Sequence, residues 1–318
     1  MHDWLQSALR PAGPEAASVH ALWEFMLWTS VVVFVLVLGA LAWGTLRRRP
    51  AGADPLAEGG PGERRMTGAV STAVGATVVV LFVFLVFDFS TGRALTARRE
   101  AAVRIEVTGH QWWWEVTYYD SIPNRRVTTA NEIHIPVGRP VLIRLNSQDV
   151  IHSFWAPDLN GKRDLIPGKE SSLWIQADSP GVYHGQCAEF CGYQHAKMAF
   201  LVVADRPADF ARWYASQADT ARTPTDSLTA RGQEVFLSSP CVMCHAIQGT
   251  PAGATMGPDL THLASRRYIA AGSLPNTRGN LAGWILDAQG IKPGAHMPPN
   301  SLTPADLQAL LAYLGTLK

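Results

Sequence analysis

Twelve residues hold the densest chemistry in the chain: Cys187-Ala188-Glu189-Phe190-Cys191-Gly192-Tyr193-Gln194-His195-Ala196-Lys197-Met198. Two thiols, an imidazole and a thioether fall within them. Cysteine and methionine sulfur are soft donors that favour copper, and a His/Cys set with a weak Met is that of electron-transfer copper. Such a set needs a further imidazole, and His152, in Asp149-Val150-Ile151-His152-Ser153-Phe154, lies 35 residues before Cys187. It ends a strand pattern, so a β-sandwich would bring it beside the loop. The donors are then His152, Cys187, Cys191, His195 and Met198. Two Cys and two His also suit tetrahedral zinc, and two close cysteines in an oxidising compartment can pair as a disulfide. Zinc leaves Met198 without a role, and a disulfide leaves both histidines unexplained. His134 and His184 lack such company and read as surface or structural residues.

The other two cysteines lie in Cys241-Val242-Met243-Cys244-His245. This is the CxxCH attachment signature, in which both thiols form thioethers to haem and the histidine takes one side of the iron. The rival, a CxxC redox pair, needs a thioredoxin-like strand and helix, which the approach Ser238-Ser239-Pro240 does not supply. A second axial donor is offered by Met297, 52 residues after His245 in Lys292-Pro293-Gly294-Ala295-His296-Met297-Pro298-Pro299. Thioether ligation there raises the haem potential. His296, Met256 and Met243 compete for that place.

Around these motifs the 318 residues divide by composition, and their number exceeds the usual size of one domain. A formal net charge of +1 gives no electrostatic reason to expect a nucleic-acid partner. The chain is 47% hydrophobic and 17% charged, with the apolar excess in the first ninety residues. Runs over about 21–46 and 67–89 each have the length to cross a bilayer, and the first is too long for a cleaved signal peptide. Together with the N-terminal tail they make a membrane hairpin over 1–100. Arg47-Arg48-Arg49 and Arg64-Arg65 in the connection predict a cytoplasmic loop and outward-facing termini, although Arg93, Arg98, Arg99 and Arg104 follow the second span. Trp23, Trp28 and Trp43 read as interfacial anchors, and Asp88 as a charge near headgroups.

Over 101–215 the pattern turns to period-two alternation: Ile105 and Val107; Trp112, Trp114 and Val116; Ile133 and Ile135; Val141, Ile143 and Leu145. Leu173-Trp174-Ile175 and Phe200-Leu201-Val202-Val203 follow, between Gly/Pro turns. Seven or eight short strands predict an antiparallel sandwich or barrel. Asp149, Asp158 and Asp164 read equally as solvated loop residues or turn formers. Residues 216–227 are small and polar and read as a tether. A helical haem domain then fills 228–318 and ends in a helix with Thr303 as N-cap, Pro304 at its first position and Asp306 completing a capping box. Leu307, Leu310, Leu311 and Leu314 form its apolar face.

The order Gly109-His110-Gln111-Trp112-Trp113-Trp114, His152-Ser153-Phe154, Asp164-Leu165-Ile166-Pro167-Gly168 and Gly185-Gln186-Cys187-Ala188-Glu189-Phe190-Cys191-Gly192, with His195 and Met198, resembles subunit II of haem-copper cytochrome c oxidases over about residues 1–215. The resemblance implies a cupredoxin-like domain holding the dinuclear CuA centre. In it Cys187 and Cys191 bridge two coppers, His152, His195 and Met198 complete the sites, and Glu189 gives its backbone carbonyl. It further implies that the Glu189 carboxylate touches a magnesium shared with subunit I, and that Trp112 lies on the path by which electrons arrive. The last 92 or so residues resemble class I cytochromes c, with GPxL at Gly257 to Leu260 and MPP at Met297 to Pro299.

The combination resembles fused caa-type oxidases of bacteria. It implies a subunit of the cytoplasmic membrane, with its large domains on the periplasmic side, beside subunits I and III. Cytochrome c or another donor reduces haem c, haem c reduces CuA, and CuA reduces haem a in subunit I, where oxygen becomes water with proton pumping. Sharing one charge change between two metals through two thiolates keeps rearrangement small, which favours fast one-electron relay. The alternatives are a CuA subunit of a related nitric oxide reductase and a membrane copper-delivery protein, against which the covalent haem argues. The second span lacks the Trp and Pro often found near its start in this family. Glu63 is a loose candidate for the acidic residue feeding a proton channel, and no proton role is assigned to it.

Overall fold

The computed structural model describes residues 6–47, 61–97, 100–119 and 126–318; Arg48, Arg49, Arg98 and Arg99 lie outside them. Two helices open the chain, α1 (Pro14–Leu46) and α2 (Pro61–Thr96), each longer than its apolar run. Both are long and apolar enough to cross a membrane. Phe25 of α1 packs on Phe84 and Phe87 of α2, at centroid distances of 5.0 and 5.4 Å. Residues 18–97 form one compact unit, and the N-terminal segment to residue 17 belongs with the rest of the chain in another. There Ala12 N donates to Asp158 O at 2.7 Å and Asp178 N to Ala12 O at 2.8 Å.

Ten strands follow, more than the alternation marked: β1 (Val103–His110), β2 (Trp113–Tyr119), β3 (Arg126–Ala130), β4 (Glu132–Pro136), β5 (Val141–Ser147), β6 (His152–Trp155), β7 (Arg163–Leu165), β8 (Ser171–Ile175), β9 (Gly181–Cys187) and β10 (Ala199–Asp205). They form two five-stranded sheets, ordered β3-β2-β1-β5-β8 and β4-β10-β9-β6-β7. The sheets are mixed rather than purely antiparallel, since β1 with β5 and β4 with β10 run parallel. The inward positions of the alternation, including Ile105, Val107, Trp114, Val116, Ile143 and Leu145, are wholly buried between the sheets. Each such aliphatic side chain contributes about 1.5–3 kcal/mol on burial. One assignment fails: Trp112 lies in the turn between β1 and β2, outside the strand rhythm. Its neighbours Trp113 and Trp114 begin β2, and only Trp114 points into the core.

Helix α3 (Pro207–Ser216) closes the sandwich, with Trp213 stacked on His134 at 4.0 Å. The segment to residue 226 has no regular structure, and Ala221 N in it donates to Gln248 O at 2.9 Å. Then come α4 (Ser227–Ser238), α5 (Arg278–Leu286), α6 (Ala288–Ile291) and α7 (Pro304–Leu314). Thr303 Oγ1 accepts from Asp306 N at 3.1 Å, which makes the expected N-cap, but the Asp306 carboxylate accepts from the Thr303 hydroxyl at 2.9 Å rather than from its backbone N–H, so only half of the expected capping box forms. Leu310, Leu311 and Leu314 are buried and Leu307 packs against the same core. Gly232 of α4 allows the crossing with α7, because a Cβ there would sit 2.0 Å from Ala309 O.

His134 is structural, as expected, but it is also an ionic joint. Its ring lies 2.6 Å from Asp205 Oδ2 and 3.1 Å from Glu132 Oε1. Burial opposes its charge, yet the two carboxylates outweigh burial and raise its pKa above the ordinary value. The stabilisation is therefore complete below the unfolded-state value of about 6.5 and is lost as pH rises through the raised folded value. The thermal midpoint of the full chain in detergent should fall across that upper range, and His134→Gln should remove the slope and cost about 1.5–3 kcal/mol at pH 6. An unchanged slope in the variant would assign it elsewhere.

Candidate metal and haem sites

The register of the second sheet assembles the sulfur cluster. Phe154 of β6 pairs with Cys187 of β9, so His152, two residues before Phe154, reaches the end of β9 where the loop begins. Cys187 N donates to Met198 O at 2.9 Å and Ala188 N to Ser153 O at 2.9 Å, closing the loop onto both neighbouring strands. Cys187 Sγ then lies 3.7 Å from Cys191 Sγ and 3.9 Å from His152 Nδ1. Cys191 Sγ is 3.7 Å from His195 Nδ1 and 3.8 Å from Met198 Sδ. The backbone oxygen of Glu189 is 3.2 Å from Cys187 Sγ, while its side chain is exposed. All five donors expected from sequence converge, and His152, Cys187, Cys191 and Met198 are buried.

These spacings suit shared metal ions. Donors about 2.0–2.3 Å from one tetrahedral ion stand roughly 3.3–3.8 Å apart, whereas a disulfide needs about 2.05 Å between sulfurs. The sulfurs here are unbonded. The Cys191 thiol hydrogen bond, the largest influence, draws Cys187 down to about 3, and the same partnership pushes Cys191 up. One thiolate is thus held readily, and the second requires a cation beside it. His152 is oriented from behind, its Nε2 being 2.8 Å from Asp149 Oδ1. Asp149 also accepts from the backbone N–H of Gln111 at 2.6 Å, so it is a built part of the site rather than a solvated loop residue. Gly109 completes the cradle, since a Cβ there would stand 2.7 Å from His152 Cδ2. Sequence gave no signal for Asp149 beyond its place three residues before His152.

The second site is a cavity of about 480 Å³ lined by Cys241, Cys244, His245 and Met297. His245 Nδ1 is 2.7 Å from Pro258 O, which fixes the ring by its outer nitrogen and frees the other to ligate iron. Burial lowers its pKa and keeps the imidazole neutral, as iron ligation requires. Gly257 lets the ring in: a Cβ would stand 2.8 Å from His245 Cε1. Gln289 Nε2 donates to Met297 O at 2.8 Å, and its Oε1 accepts from Gly294 N at 3.0 Å, shaping the loop that carries Met297. Met243 and Met256 also line the cavity but are 70% and 77% exposed, and His296 instead approaches the Trp112 ring at 5.5 Å.

The two sites adjoin. Trp112 lines the cavity and its indole N–H donates to Cys191 O at 3.0 Å, beside the Gln111 amide at 2.8 Å. Lys292, absent from the candidates read in the sequence, is buried between the domains; desolvation first, then the Lys197 ammonium, lowers it to about 7.

A sandwich with a two-thiol, two-imidazole, thioether cluster, four of its five donors buried, joined to a helical domain whose cavity displays CxxCH, defines a copper and haem electron-transfer protein. Residues 123–205 match the family described as cytochrome c oxidase subunit II, periplasmic domain, and residues 229–318 match cytochrome c. The chain is 36% identical to cytochrome c oxidase subunit 2 of Alkalihalophilus pseudofirmus, over 98% of this chain and 91% of that one. It is 32% identical to the subunit 2 of Bacillus sp., over 70% of this chain and 64% of that one. The solved periplasmic domain of subunit II of the Bradyrhizobium japonicum cytochrome oxidase is 30% identical, covering 37% of this chain and 95% of that one at a TM-score of 0.36. The chain belongs to the cytochrome c oxidase subunit II family, with a cytochrome c domain fused at its C-terminal end. It carries a CuA site and a cytochrome c haem and transfers electrons into the oxidase.

Because Gly109 abuts His152, Gly109→Ala should leave the sandwich folded and weaken copper retention on the order of 10–100-fold. Copper per chain, measured against a graded chelator, checks it; full retention would show that the ring has room to spare.

Proposed function

We propose that His152, Cys187, Cys191, His195 and Met198, with the Glu189 carbonyl, hold the two coppers, and that Cys241, Cys244, His245 and Met297 hold the haem. What supports the first assignment is the convergence of three sulfur donors and two imidazoles at 3.7–3.9 Å from residues 152 to 198. When bound, haem and copper supply one-electron redox chemistry, haem accepting from cytochrome c or another external donor and copper delivering to haem a of subunit I. Trp112 bridges the sites, with its indole on Cys191 O and its ring beside His296. Asp149 and Pro258 hold the outer nitrogens of His152 and His245, so neither imidazole turns when charge passes. The exposed Glu189 carboxylate is the place for a magnesium shared with subunit I.

Units over 1–100, 101–215 and 228–318, the last two joined by 216–227, divide these roles, with the segment to residue 17 grouped with the outer domains. The chain then lies in the bacterial cytoplasmic membrane with subunits I and III as neighbours. Residues 12–16 bond to the sandwich, which favours both termini on the periplasmic side and the arginine-bearing connection in the cytoplasm.

The test is metal and haem content of the natively purified full chain together with copper paramagnetism. Two coppers sharing one unpaired electron and one covalent haem per chain are expected, and Cys187→Ser should abolish the shared-spin signal while retaining haem. Zinc or a cystine in place of copper would overturn the assignment.

A further inference from the structure

Lys292 is 3% exposed and, among the described residues, forms no ion pair. Its Nζ donates instead to three backbone carbonyls: Lys197 at 2.9 Å, Trp112 at 3.0 Å and Ala270 at 3.5 Å. A buried ammonium without a counter-charge costs several kcal/mol, and a methionine of similar volume would avoid that cost. The partners therefore matter. Lys197 stands between the proposed copper ligands His195 and Met198. Trp112 carries the indole that bonds Cys191 O. Lys292 itself begins the loop that ends at Met297, the proposed haem ligand.

Neighbouring contacts run the other way across the same seam. Lys197 Nζ donates to Ile291 O at 2.7 Å, and Gln194 Nε2 to Pro293 O at 2.5 Å. The copper loop and the haem-ligand loop thus exchange side-chain donors for backbone acceptors. Lys292 reaches both the copper loop and the tryptophan turn. Its charge also lies close enough to interact with Cys191.

We propose that Lys292 is a positioning residue for electron transfer within the chain, locking the Met297 loop onto the copper loop and Trp112 and placing a positive charge that favours the reduced copper centre. A cation beside a redox centre stabilises the form carrying one more electron, so its loss lowers the potential. With both groups bound, each transfer would move one electron, the held haem being oxidised by one equivalent and the held copper centre reduced by one, with no proton or bond exchanged. The inference rests on the ligand assignments made above.

The test uses the full chain in detergent, loaded with copper and haem, at pH 6 where the lysine is protonated. A photo-excited ruthenium complex gives one electron to the haem, and its onward passage to copper is followed optically. Lys292→Met should keep the haem spectrum and copper paramagnetism, slow that passage on the order of tenfold or more, and lower the copper potential. Amide exchange should quicken in 193–198 and 291–297. Lys292→Gln, which retains a neutral amide donor group, serves if the Met variant does not accumulate, and should lower the potential likewise. Wild-type rate and potential in a variant holding both cofactors would overturn the proposal, and a slowed rate at unchanged potential would overturn its electrostatic part. Loss of copper or haem from the unaltered chain would instead overturn the site assignments.

Discussion

The hydrogen bond from Cys187 N to Met198 O governs the rest of the sulfur site. It joins the last residue of one strand to the residue before the next, so the intervening loop has its ends fixed by the sheet itself. Without that closure Cys187, Cys191, His195 and Met198 would be four flexible side chains on a mobile loop. With it, their separations are set by the 4.7–4.9 Å strand spacing and by a single 3-10 turn over His195–Lys197. The second imidazole comes from the neighbouring strand through the same ladder. A one-residue slip there would put His152 on the opposite face. Wholly buried Phe154 and Phe200, stacked at 4.3 Å, make that slip expensive.

Burial explains the electrostatics as well. Each ionisable group near the sites loses water, and what replaces the water differs from case to case. For His134 it is a pair of carboxylates, for Cys187 the neighbouring thiol, and for Lys292 three carbonyl dipoles. The carbonyls satisfy hydrogen-bonding capacity but supply no compensating full charge, which is why Lys292 is lowered while His134 is raised. The thiol pair is intermediate. It can keep one negative charge alone and needs a cation for the second, so the protein's own electrostatics create the demand that metal satisfies.

The ligating residue types were legible in the sequence because soft-metal and haem chemistry restrict them so strongly. CxxCH and the Cys187–Met198 run need no tertiary information to be noticed. The residues behind them were not legible. Asp149 was indistinguishable from a turn-forming aspartate, since its role depends on a fold that returns His152 above it. Gly109 and Gly257 are silent until the rings that crowd them are in place. Trp112 keeps step with Trp114 in the sequence, and only the two-residue turn at 111–112 breaks that rhythm. Lys292 was hidden for the opposite reason: a lysine beside Pro-Gly reads as exposed, and only packing against the sandwich buries it. Short strands such as β7 carry no alternation at all and leave no mark in the sequence.

A tether alone would present the haem domain to the copper loop at an effective concentration of roughly millimolar, leaving it to dock and undock. The chain goes further, because the contacts across the seam bury polar groups as well as apolar ones. Arg267 N donates to Glu132 Oε2 at 2.9 Å and Ala199 N to Ala271 O at 3.0 Å, flanking the lysine contacts. Each is satisfied only in one relative placement of the two domains, so undocking exchanges several of these bonds for water at once, at a net loss of about 0.5–1.5 kcal/mol each. Most of these acceptors are backbone carbonyls, set by the turn between β1 and β2 at Trp112, the 3-10 turn between β9 and β10 at Lys197 and the turns of the haem domain rather than by side-chain rotamers. The sandwich therefore determines where the haem-ligand loop rests through turns that its strands carry, one of them the turn that spaces the sulfur donors, and one error in register would displace both.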